Sequence, residues 1–521
     1  MDEQHAPLVV ANEIEQDKMM MMNNENDNKD SSSYYENDSR APNLPTSNQI
    51  DKLDSNSLNY ANDFEEQIKR PTKQYRDVFY LALFAINSFI VLGIGIFGGV
   101  QCMAGNGNCM NADTNPHHTQ SVNERPKALV APMAVSFVVA AMMCSIMIVI
   151  LQFYSESFLK CILITSVFLQ FFCGLIMFFI NPLSAILLIV FAAFTGCYYV
   201  YVRNRLEFAG AILEIACSAI RRYPTSIMVA FGSLLVQLIV VIIWALAYYG
   251  AVASTIAFGS FVLETYLLFS LFWALTVVQN VAHCSTCGVV GSWWFTNNDQ
   301  AVSGSLKRAS TTSLGSICFG SLIVAILKTL RVLVRQFRKA NERGGRSCLF
   351  IAHCAEYLLN IIEHYARYMN SYAYCFVALY GKDFRTAGRE VHALFDQRGW
   401  TAVINDDLVS RTLGVANLGV GAVTGFAGGL STYLGYPSTD VVNFQWVGAV
   451  ALLSFVVGML LAFTVSGVIT SAVRTVFVCY AKASDVLEQT RPEANERLTR
   501  AWTKFYPHIT VHAQFVSDDQ V

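Results

Sequence analysis

The stretch that decides the fold runs from His353 to Phe384 and reads HCAEYLLNIIEHYARYMNSYAYCFVALYGKDF. At 3.6 residues per turn it separates into two opposite faces. The polar, ionisable face carries His353, Glu356, Asn360, Glu363, Arg367 and Asn370. The aromatic face carries Tyr365, Tyr368, Tyr372, Phe376 and Tyr380. Such a helix is expected either in a membrane interface or inside a bundle, with its polar stripe facing a wet cavity.

The end of this helix is also readable from the sequence. Gly381 follows the aromatic face and Lys382 comes next. Glycine tolerates the left-handed conformation that commonly ends a helix, and a cation suits the negative end of the helix dipole. The sequence therefore predicts that the helix stops at this glycine.

Composition bounds the class of protein. The chain has 521 residues, of which 54% are hydrophobic and only 14% are charged, and its mean hydropathy is +0.40. Soluble domains carry charge on about a quarter of their residues, so we predict an all-α polytopic membrane protein in contact with a lipid bilayer. The net charge of −2 indicates no particular partner, and no basic block suggests a nucleic-acid partner.

Ten hydrophobic stretches follow one another, each judged against the roughly 20 residues that a helical crossing needs. The eighth is short unless the helix before it contributes. The predicted spans are 78–99, 128–152, 158–180, 183–202, 227–249, 253–280, 313–334, 367–381, 412–434 and 445–472, within a transmembrane domain of residues 78–481.

The chain ends and two internal segments are assigned to the cytoplasm. Residues 1–77 have few large apolar side chains and an excess of acidic ones, so a disordered tail is predicted. Basic residues just before the first span place this tail inside. Residues 203–224 and 382–411 are also basic and read as amphipathic cytoplasmic helices. Residues 482–521 form the predicted cytoplasmic C-terminal tail.

One basic segment does not fit this scheme. With ten crossings, residues 335–346 (RQFRKANERGGR) fall outside, against the positive-inside rule. Three explanations remain open from the sequence. The stretch 251–295 holds an extra half-crossing, or the helix 348–366 lies in the interface, or the rule is broken here.

Two smaller patterns concern packing. Cys102 and Cys109 share the first outer loop and form either a disulfide or two free thiols. Gly95 and Gly99, and then the series 421, 425 and 429, have small-xxx-small spacing, which allows close approach of helices.

Three motifs resemble the choline transporter-like family. The first joins Asn370-Ser371-Tyr372-Ala373-Tyr374 to Ala378-Leu379-Tyr380-Gly381-Lys382-Asp383-Phe384. The second runs from Gly315-Ser316 through Phe319-Gly320-Ser321-Leu322-Ile323 to Leu330-Arg331-Val332. The third is Trp273 followed by Gly288 and Ser292-Trp293-Trp294. Together they cover residues 200–480 in the family's order.

The short first outer loop and the long polar N-terminal tail are similar to the fungal branch of this family, the pH-nine-sensitive proteins. Animal members have a larger first loop, and only residues 250–254 separate spans five and six here. The resemblance implies a multi-pass plasma-membrane transporter with both termini cytoplasmic. It implies choline, or a related amine, as the transported cation.

A quaternary ammonium cannot donate a hydrogen bond, so a site for it needs aromatic faces, with or without one carboxylate. Glu264 is the preferred counter-charge because an ionisable group within a span is costly unless it faces a cavity or a partner. The candidate substrate-binding residues are Trp244, Tyr248, Glu264, Trp273, Tyr372 and Tyr380. Alternating access around a site between spans five, six and eight is the expected mechanism.

Other classes are weaker. The chain has no G-x-S-x-G, H-E-x-x-H or P-loop, so neither an enzyme nor a cofactor is predicted. His283, Cys284 and Cys287 include possible metal ligands but lack a second pair at zinc-finger spacing, and the sequence favours packing over a metal site. Lys328 and Arg331, late in span seven, are interpreted as snorkelling to lipid head groups. The alternative function is a non-transporting, membrane-organising protein that binds unidentified partners through its tail.

Overall fold

The computed structural model of the chain describes Asn62 and residues 75–103, 116–179, 181–253, 260–296, 299–340, 346–398, 401–435 and 444–505. Most of the predicted disordered tail, residues 1–77, lies outside this description, which includes only Asn62 and residues 75–77 of it. The pairing of Cys102 with Cys109 also lies outside it. Every regular element within it is helical, as predicted, and the helices follow closely on one another.

Fifteen α-helices lie in the described parts of the chain, together with a 3₁₀ turn at Arg203–Arg205. In chain order they are α1 Val78–Met103, α2 Pro116–Phe153, α3 Ser155–Phe178, α4 Pro182–Val202, α5 Leu206–Arg222, α6 Thr225–Ala253, α7 Ser260–Phe295, α8 Ala301–Ser310, α9 Leu314–Ala340, α10 Arg346–Tyr380, α11 Phe384–Arg398, α12 Thr401–Gly435, α13 Phe444–Lys482, α14 Ser484–Thr490 and α15 Pro492–Phe505.

Among the described residues, nine helices are long and apolar enough to cross a membrane: α1 to α4, α6, α7, α9, α12 and α13. They correspond to nine of the ten predicted spans. The remaining prediction, 367–381, is the second half of α10, which is continuous over 35 residues. The polar face of α10 keeps it out of this set of nine helices.

Helix α10 nevertheless runs back along the full length of α9. Near the start of α9, Tyr374 donates its hydroxyl to the Ile317 carbonyl at 3.2 Å. Near its end, the Arg335 guanidinium lies 2.8 Å from the Glu356 carboxylate. As the residue number increases along α9, the number of the contacting residue on α10 decreases, so the two helices are antiparallel. Because α9 is long enough to cross a membrane, α10 runs back over the same thickness and is a candidate for a tenth crossing.

The hairpin shows what surrounds the described basic residues at the end of α9. The end of α9 lies opposite its start, so the side chains of Arg335, Arg338 and Lys339 lie at the other end of the bundle from the first turns of α9. Their charge is offset across the hairpin, because the Glu356 carboxylate forms ion pairs with both Arg335 and Arg338, the latter at 3.2 Å. Glu356 and Glu363 of the polar stripe of α10 therefore face a second charged helix, whereas His353, Asn360 and Arg367 are exposed. The prediction that the stripe faces a wet cavity or an interface stays a prediction.

The helices pack in two groups that meet at α7 and α13. Helices α1, α6, α9 and α10 surround α7, whereas α2 and α12 pack on α13. Close approach within the second group depends on glycine: a Cβ at position 425 would lie 3.0 Å from the Ala451 carbonyl oxygen and from Phe455 Cβ. Gly95 of α1 similarly faces the Ile243 carbonyl of α6. The small-residue spacing thus marks helix packing, as predicted.

Several helix ends converge on one residue, Asp77, just before α1. Its carboxylate accepts the Ser316 hydroxyl at the start of α9, at 2.6 Å, and the Phe384 amide at the start of α11, at 3.0 Å. The Arg76 amide bonds the Thr312 carbonyl at 3.1 Å. We call this end of the bundle the Asp77 face. The end of α9 and the start of α10 lie at the opposite face.

The amphipathic segments pack at the Asp77 face. Helix α5 buries most of its residues and contacts α2, α3 and α13. The segment after α13, predicted as a tail, begins with α14 and α15, and α15 packs on α5. Arg497 of α15 and Glu214 of α5 pair at 2.9 Å. These helices cover the ends of the crossing helices rather than extending the membrane domain.

The hairpin predicts opposite exposure for two surface positions. We expect Lys339→Cys, at the end of α9, and Arg389→Cys, in α11, to lie on opposite sides of the membrane, because α10 crosses between them. Both native side chains are exposed. A membrane-impermeant maleimide added to intact cells should label only one of them above the unsubstituted protein, and both after permeabilisation. Labelling of both or of neither in intact cells would contradict the tenth crossing.

Candidate functional site

Three aromatic rings from α1 and α7 meet at the middle of the first helix group. The Trp273 ring lies 5.2 Å from that of Phe84, edge to face, and 5.7 Å from that of Phe269. Trp273 is 1% exposed, and its indole N–H donates to the Cys318 carbonyl of α9 at 3.1 Å. We call Phe84, Phe269 and Trp273 the Trp273 cluster. It joins α1 to α7 by aromatic packing and α7 to α9 by the indole hydrogen bond.

The Trp273 cluster has polar neighbours on either side along α7. One turn before Trp273, Ser270 donates to the buried Asn87 side chain of α1 at 2.7 Å. Two turns after it, the Asn280 amide donates to Ser321 of α9 at 2.9 Å and to the Tyr374 hydroxyl of α10 at 3.3 Å. Hydroxyl and amide groups therefore lie above and below the aromatic rings, inside the protein.

The first turns of α9 receive side-chain donors from both neighbouring helices. Besides Trp273 and Tyr374, Asn370 donates its amide to the Gly320 carbonyl at 2.8 Å. A Cβ at Gly320 would lie 2.4 Å from the Tyr374 hydroxyl and 2.4 Å from the Phe384 ring. Glycine is therefore required here by the close approach of two aromatic side chains. The family motifs quoted from the sequence meet at this point.

Trp244 and Tyr248, two of the six candidate residues, stack on each other in α6 with ring centroids 5.3 Å apart. The Trp244 indole N–H donates to the Leu267 carbonyl of α7 at 2.8 Å. Leu267 precedes Trp273 by six residues, or about 9 Å of helix rise. This pair therefore lies closer to the opposite face than the Trp273 cluster does.

Glu264 does not join these rings. It lies near the start of α7 and its side chain is exposed. It is nine residues from Trp273, which places it about half a turn round the helix axis from the tryptophan. The geometry therefore gives no support to Glu264 as a counter-charge beside Trp273.

Tyr372 and Tyr380 lie towards the Asp77 face. The ring of Tyr372, which is 1% exposed, packs edge to face on Phe477 of α13 at 6.3 Å. Tyr380 ends α10 and has the Lys382 ammonium 5.6 Å from its ring centre. The chain turns at Gly381, whose φ is 59°, so the predicted helix stop is confirmed. The aromatic stripe of α10 thus packs on α13 and on the helix end.

The six candidates are therefore spread along the bundle instead of forming one cage. The Trp244 contact on α7 is at Leu267, while the His283 ring contacts the Ser371 carbonyl beside Tyr372 at 2.9 Å. Leu267 and His283 are separated by about 24 Å of helix rise. A choline-sized cation spans a fraction of that length. Of the six, Trp273 lies in the buried aromatic group between helices.

A layer of ion pairs lies between the Trp273 cluster and the opposite face. Among the residues whose burial is described, Glu363 is the acidic side chain that is buried, at 1% exposure. It pairs with Arg331 of α9 at 3.0 Å and with Arg367 one turn along its own helix. Arg331 also donates to Asn360 at 2.5 Å. Arg331 is therefore ion-paired inside the hairpin, and its interpretation as a snorkelling side chain was wrong.

Lys328 is directed towards α7. Its ammonium lies 3.5 Å from the Thr276 hydroxyl and 5.9 Å from the centre of the Phe272 ring. Three basic side chains, Lys328, Arg331 and Arg367, thus lie on this part of the hairpin, and among the residues whose burial is described one carboxylate, that of Glu363, is buried there. The side of the bundle beyond Trp273 carries more fixed positive than negative charge at this level.

Comparison with known proteins now identifies the family. The family model described as plasma-membrane choline transporter matches residues 186–485, more than half of the chain. The chain belongs to this family. The match contains Trp273, the α9–α10 hairpin and the polar side chains of Asn280, Ser321 and Tyr374.

Individual relatives extend the comparison to the fungal branch. A CTL-like protein of Dictyostelium discoideum is 29% identical over 322 residues, which cover 59% of this chain and 55% of that protein. Protein PNS1 of Debaryomyces hansenii is 29% identical over 357 residues, covering 63% and 68% respectively. Protein PNS1 of Mycosarcoma maydis is 28% identical over 482 residues, covering 86% and 88%. The chain thus spans about half of the Dictyostelium protein and most of the Mycosarcoma one.

Removing the Glu363 charge should destabilise the hairpin. Glu363→Gln leaves Arg331 and Arg367 without their shared carboxylate, and unpairing a buried charge is costly, whereas exposed pairs contribute little. Because both arginines are partly exposed, we expect a loss of about 1–3 kcal/mol, measured as a lower midpoint of thermal unfolding in detergent. Glu264→Gln is the matched control, and its midpoint should equal that of the native chain. Equal midpoints for both variants would contradict the structural role of Glu363.

Proposed function

We propose that the chain transports a small organic cation of the choline class across the plasma membrane, with the cation bound at the Trp273 cluster. The observation that supports this most directly is the buried meeting of aromatic rings from α1 and α7, with polar groups on both sides. Family membership supports a transporter, and the cargo is inferred from the chemistry of the rings.

Recognition would depend on cation–π attraction. A quaternary ammonium is attracted to the faces of tryptophan and phenylalanine, most strongly where water is excluded. Glu363, the buried carboxylate among the residues whose burial is described, is already paired with two arginines. The aromatic faces would therefore supply the attraction. The side chains of Asn87 or Asn280 could accept a hydrogen bond from the hydroxyl of choline.

Two sets of contacts would close the site on its two sides. Towards the Asp77 face, the Tyr80 ring stacks on Phe319 with centroids 4.0 Å apart, and the Asp77 carboxylate holds the starts of α9 and α11. Towards the opposite face, Trp244 bonds to α7 and stacks on Tyr248. In this proposal alternating access breaks one set while the other holds, so Trp244 and Tyr248 act as a gate to the site.

We further propose that the Asp77 face is cytoplasmic, with both chain termini on that side. Basic side chains that end or connect helices are concentrated there, including Arg222, Arg308, Lys382, Lys482 and Arg497. This is the distribution that the positive-inside rule expects of a cytoplasmic surface. The basic residues at the opposite face are offset by Glu356.

Uptake of radiolabelled choline by proteoliposomes tests the proposal. We expect saturable uptake, with KM raised roughly two- to tenfold in Trp273→Phe, because phenylalanine has the weaker cation–π attraction. Trp273→Leu, which has no ring, should lose saturable uptake. Trp293→Phe is the control, because Trp293 lies under the Arg491 guanidinium at 3.7 Å, away from the cluster. Its KM should be unchanged.

Two results would overturn the proposal in different ways. Equal counts in protein-containing and empty vesicles would exclude choline as cargo and would direct the assay to other amines. Saturable uptake with the same KM in Trp273→Leu as in the native chain would place the cation site elsewhere. If no variant and no native protein shows uptake, but deletion of residues 1–77 abolishes the cellular phenotype of the protein, the membrane-organising alternative is favoured.

A further inference from the structure

The two helix groups meet at a cluster of sulfur and nitrogen atoms that the transport proposal does not use. His283 and Cys287 lie one turn apart on α7, and Cys375 faces them from α10. Their ligand atoms all lie within 4.8 Å of one another, and all three residues are buried. We call them the His283 cluster. They bring together side chains that are 88 residues apart in the chain.

The spacing of these atoms matches the coordination shell of zinc. Tetrahedral Zn²⁺ with Zn–S of about 2.3 Å and Zn–N of 2.0–2.1 Å places neighbouring ligand atoms about 3.6–3.8 Å apart. The distance from Cys287 Sγ to Cys375 Sγ is 3.6 Å, and that from Cys287 Sγ to His283 Nε2 is 3.7 Å. The Ser371 carbonyl oxygen, 2.9 Å from Nε2 and 3.4 Å from Cys375 Sγ, lies beside a fourth position.

The imidazole is oriented as metal-binding histidines are. His283 Nδ1 lies 2.7 Å from the Ser471 hydroxyl of α13, and Ser471 in turn donates to the Gly467 carbonyl at 2.7 Å. Without a metal, Nε2–H donates to the Ser371 carbonyl oxygen, which lies 2.9 Å away. A metal at Nε2 would replace that proton, and the neutral imidazole would then carry its proton on Nδ1, which faces the Ser471 hydroxyl oxygen. Partners of this kind fix the tautomer and orientation of ligating histidines.

Charge selects the metal. The cluster lies in a protein interior of low dielectric constant, where a net charge is costly. A divalent cation with two thiolates and a neutral imidazole has no net charge, whereas a monovalent ion on the same ligands would leave one negative charge. Sulfur and imidazole ligands together suit zinc better than calcium or magnesium, which prefer oxygen.

We propose that His283, Cys287 and Cys375 bind a zinc ion that ties α7 to α10 where both meet α13. On binding, each thiol loses a proton to water, so two protons leave as Zn²⁺ enters and the charge of the cluster stays at zero. The Thr475 hydroxyl, 3.7 Å from Cys375 Sγ, and Ser471 extend the site to α13. The site is structural and is independent of the cargo.

Zinc content measures the proposal directly. The purified full-length protein is incubated with Zn²⁺, passed over a gel-filtration column and analysed for metal by mass spectrometry. We expect about one zinc ion per native chain. The zinc content of Cys287→Ser and of Cys375→Ser should be at least tenfold lower. Cys284→Ser is the matched control, because this buried thiol adjoins His283 but is directed to the Tyr374 carbonyl. It should retain the zinc. Ser471→Ala should weaken binding about 10- to 100-fold, as loss of an outer partner does.

A second measurement uses the native chain alone, so it does not depend on whether a variant folds. Co²⁺ added to the native chain should give the intense thiolate-to-cobalt charge-transfer absorption of a tetrahedral site, and Zn²⁺ should abolish it. Equal zinc in the native chain and in Cys375→Ser would overturn the proposal. So would a native chain that gives neither bound zinc nor the cobalt band, or a Cys287–Cys375 disulfide found in the unreduced protein. None of these results depends on transport activity.

Discussion

Charge inside a membrane protein must be neutralised where it lies, and the α9–α10 hairpin is built on that requirement. The basic residues on α9 recur at gaps of three and four, and the acidic residues of α10 lie opposite them. Arg331 would be costly to bury alone, as would Glu363. Paired across the hairpin they hold a helix of moderate apolarity inside the bundle and fix its register against α9.

That register has consequences at the other end of the hairpin. Because ion pairs hold Glu356 and Glu363 against α9, the signature residues Asn370 and Tyr374 arrive beside the first turns of the same helix. There they meet Asn280 of α7, and the indole of Trp273 binds the next carbonyl group. The charged layer and the aromatic site are therefore two ends of one antiparallel pairing.

The sequence was a good guide to features carried by local pattern. Apolar length located nine crossings, the two faces of α10 were visible at helical period, and Gly381 marked its end. Tertiary pairing was harder to predict. Hydropathy did not show that α7 continues to Phe295, because its last turns contain small and polar residues buried against α10 and α13.

The site shows the same limit. Trp273 could be singled out from residue type, yet its partner Phe84 lies in another helix, and no spacing relates the two. Glu264 was chosen because a charge within a span is unusual, but its helical phase directs it away from Trp273. Cys375 was overlooked as a companion of His283 and Cys287, since the pairing of α7 with α10 brings them together.

The convergence at Asp77 has a consequence for how the bundle loosens. Asp77 precedes the first turn of α1, and its carboxylate holds the first turns of α9 and α11. Helix ends normally fray one at a time, since each has its own unsatisfied amides. Here three helix beginnings share one anion, which the positive ends of helix dipoles attract. Their first turns cannot fray independently, and they open and close as one cooperative unit.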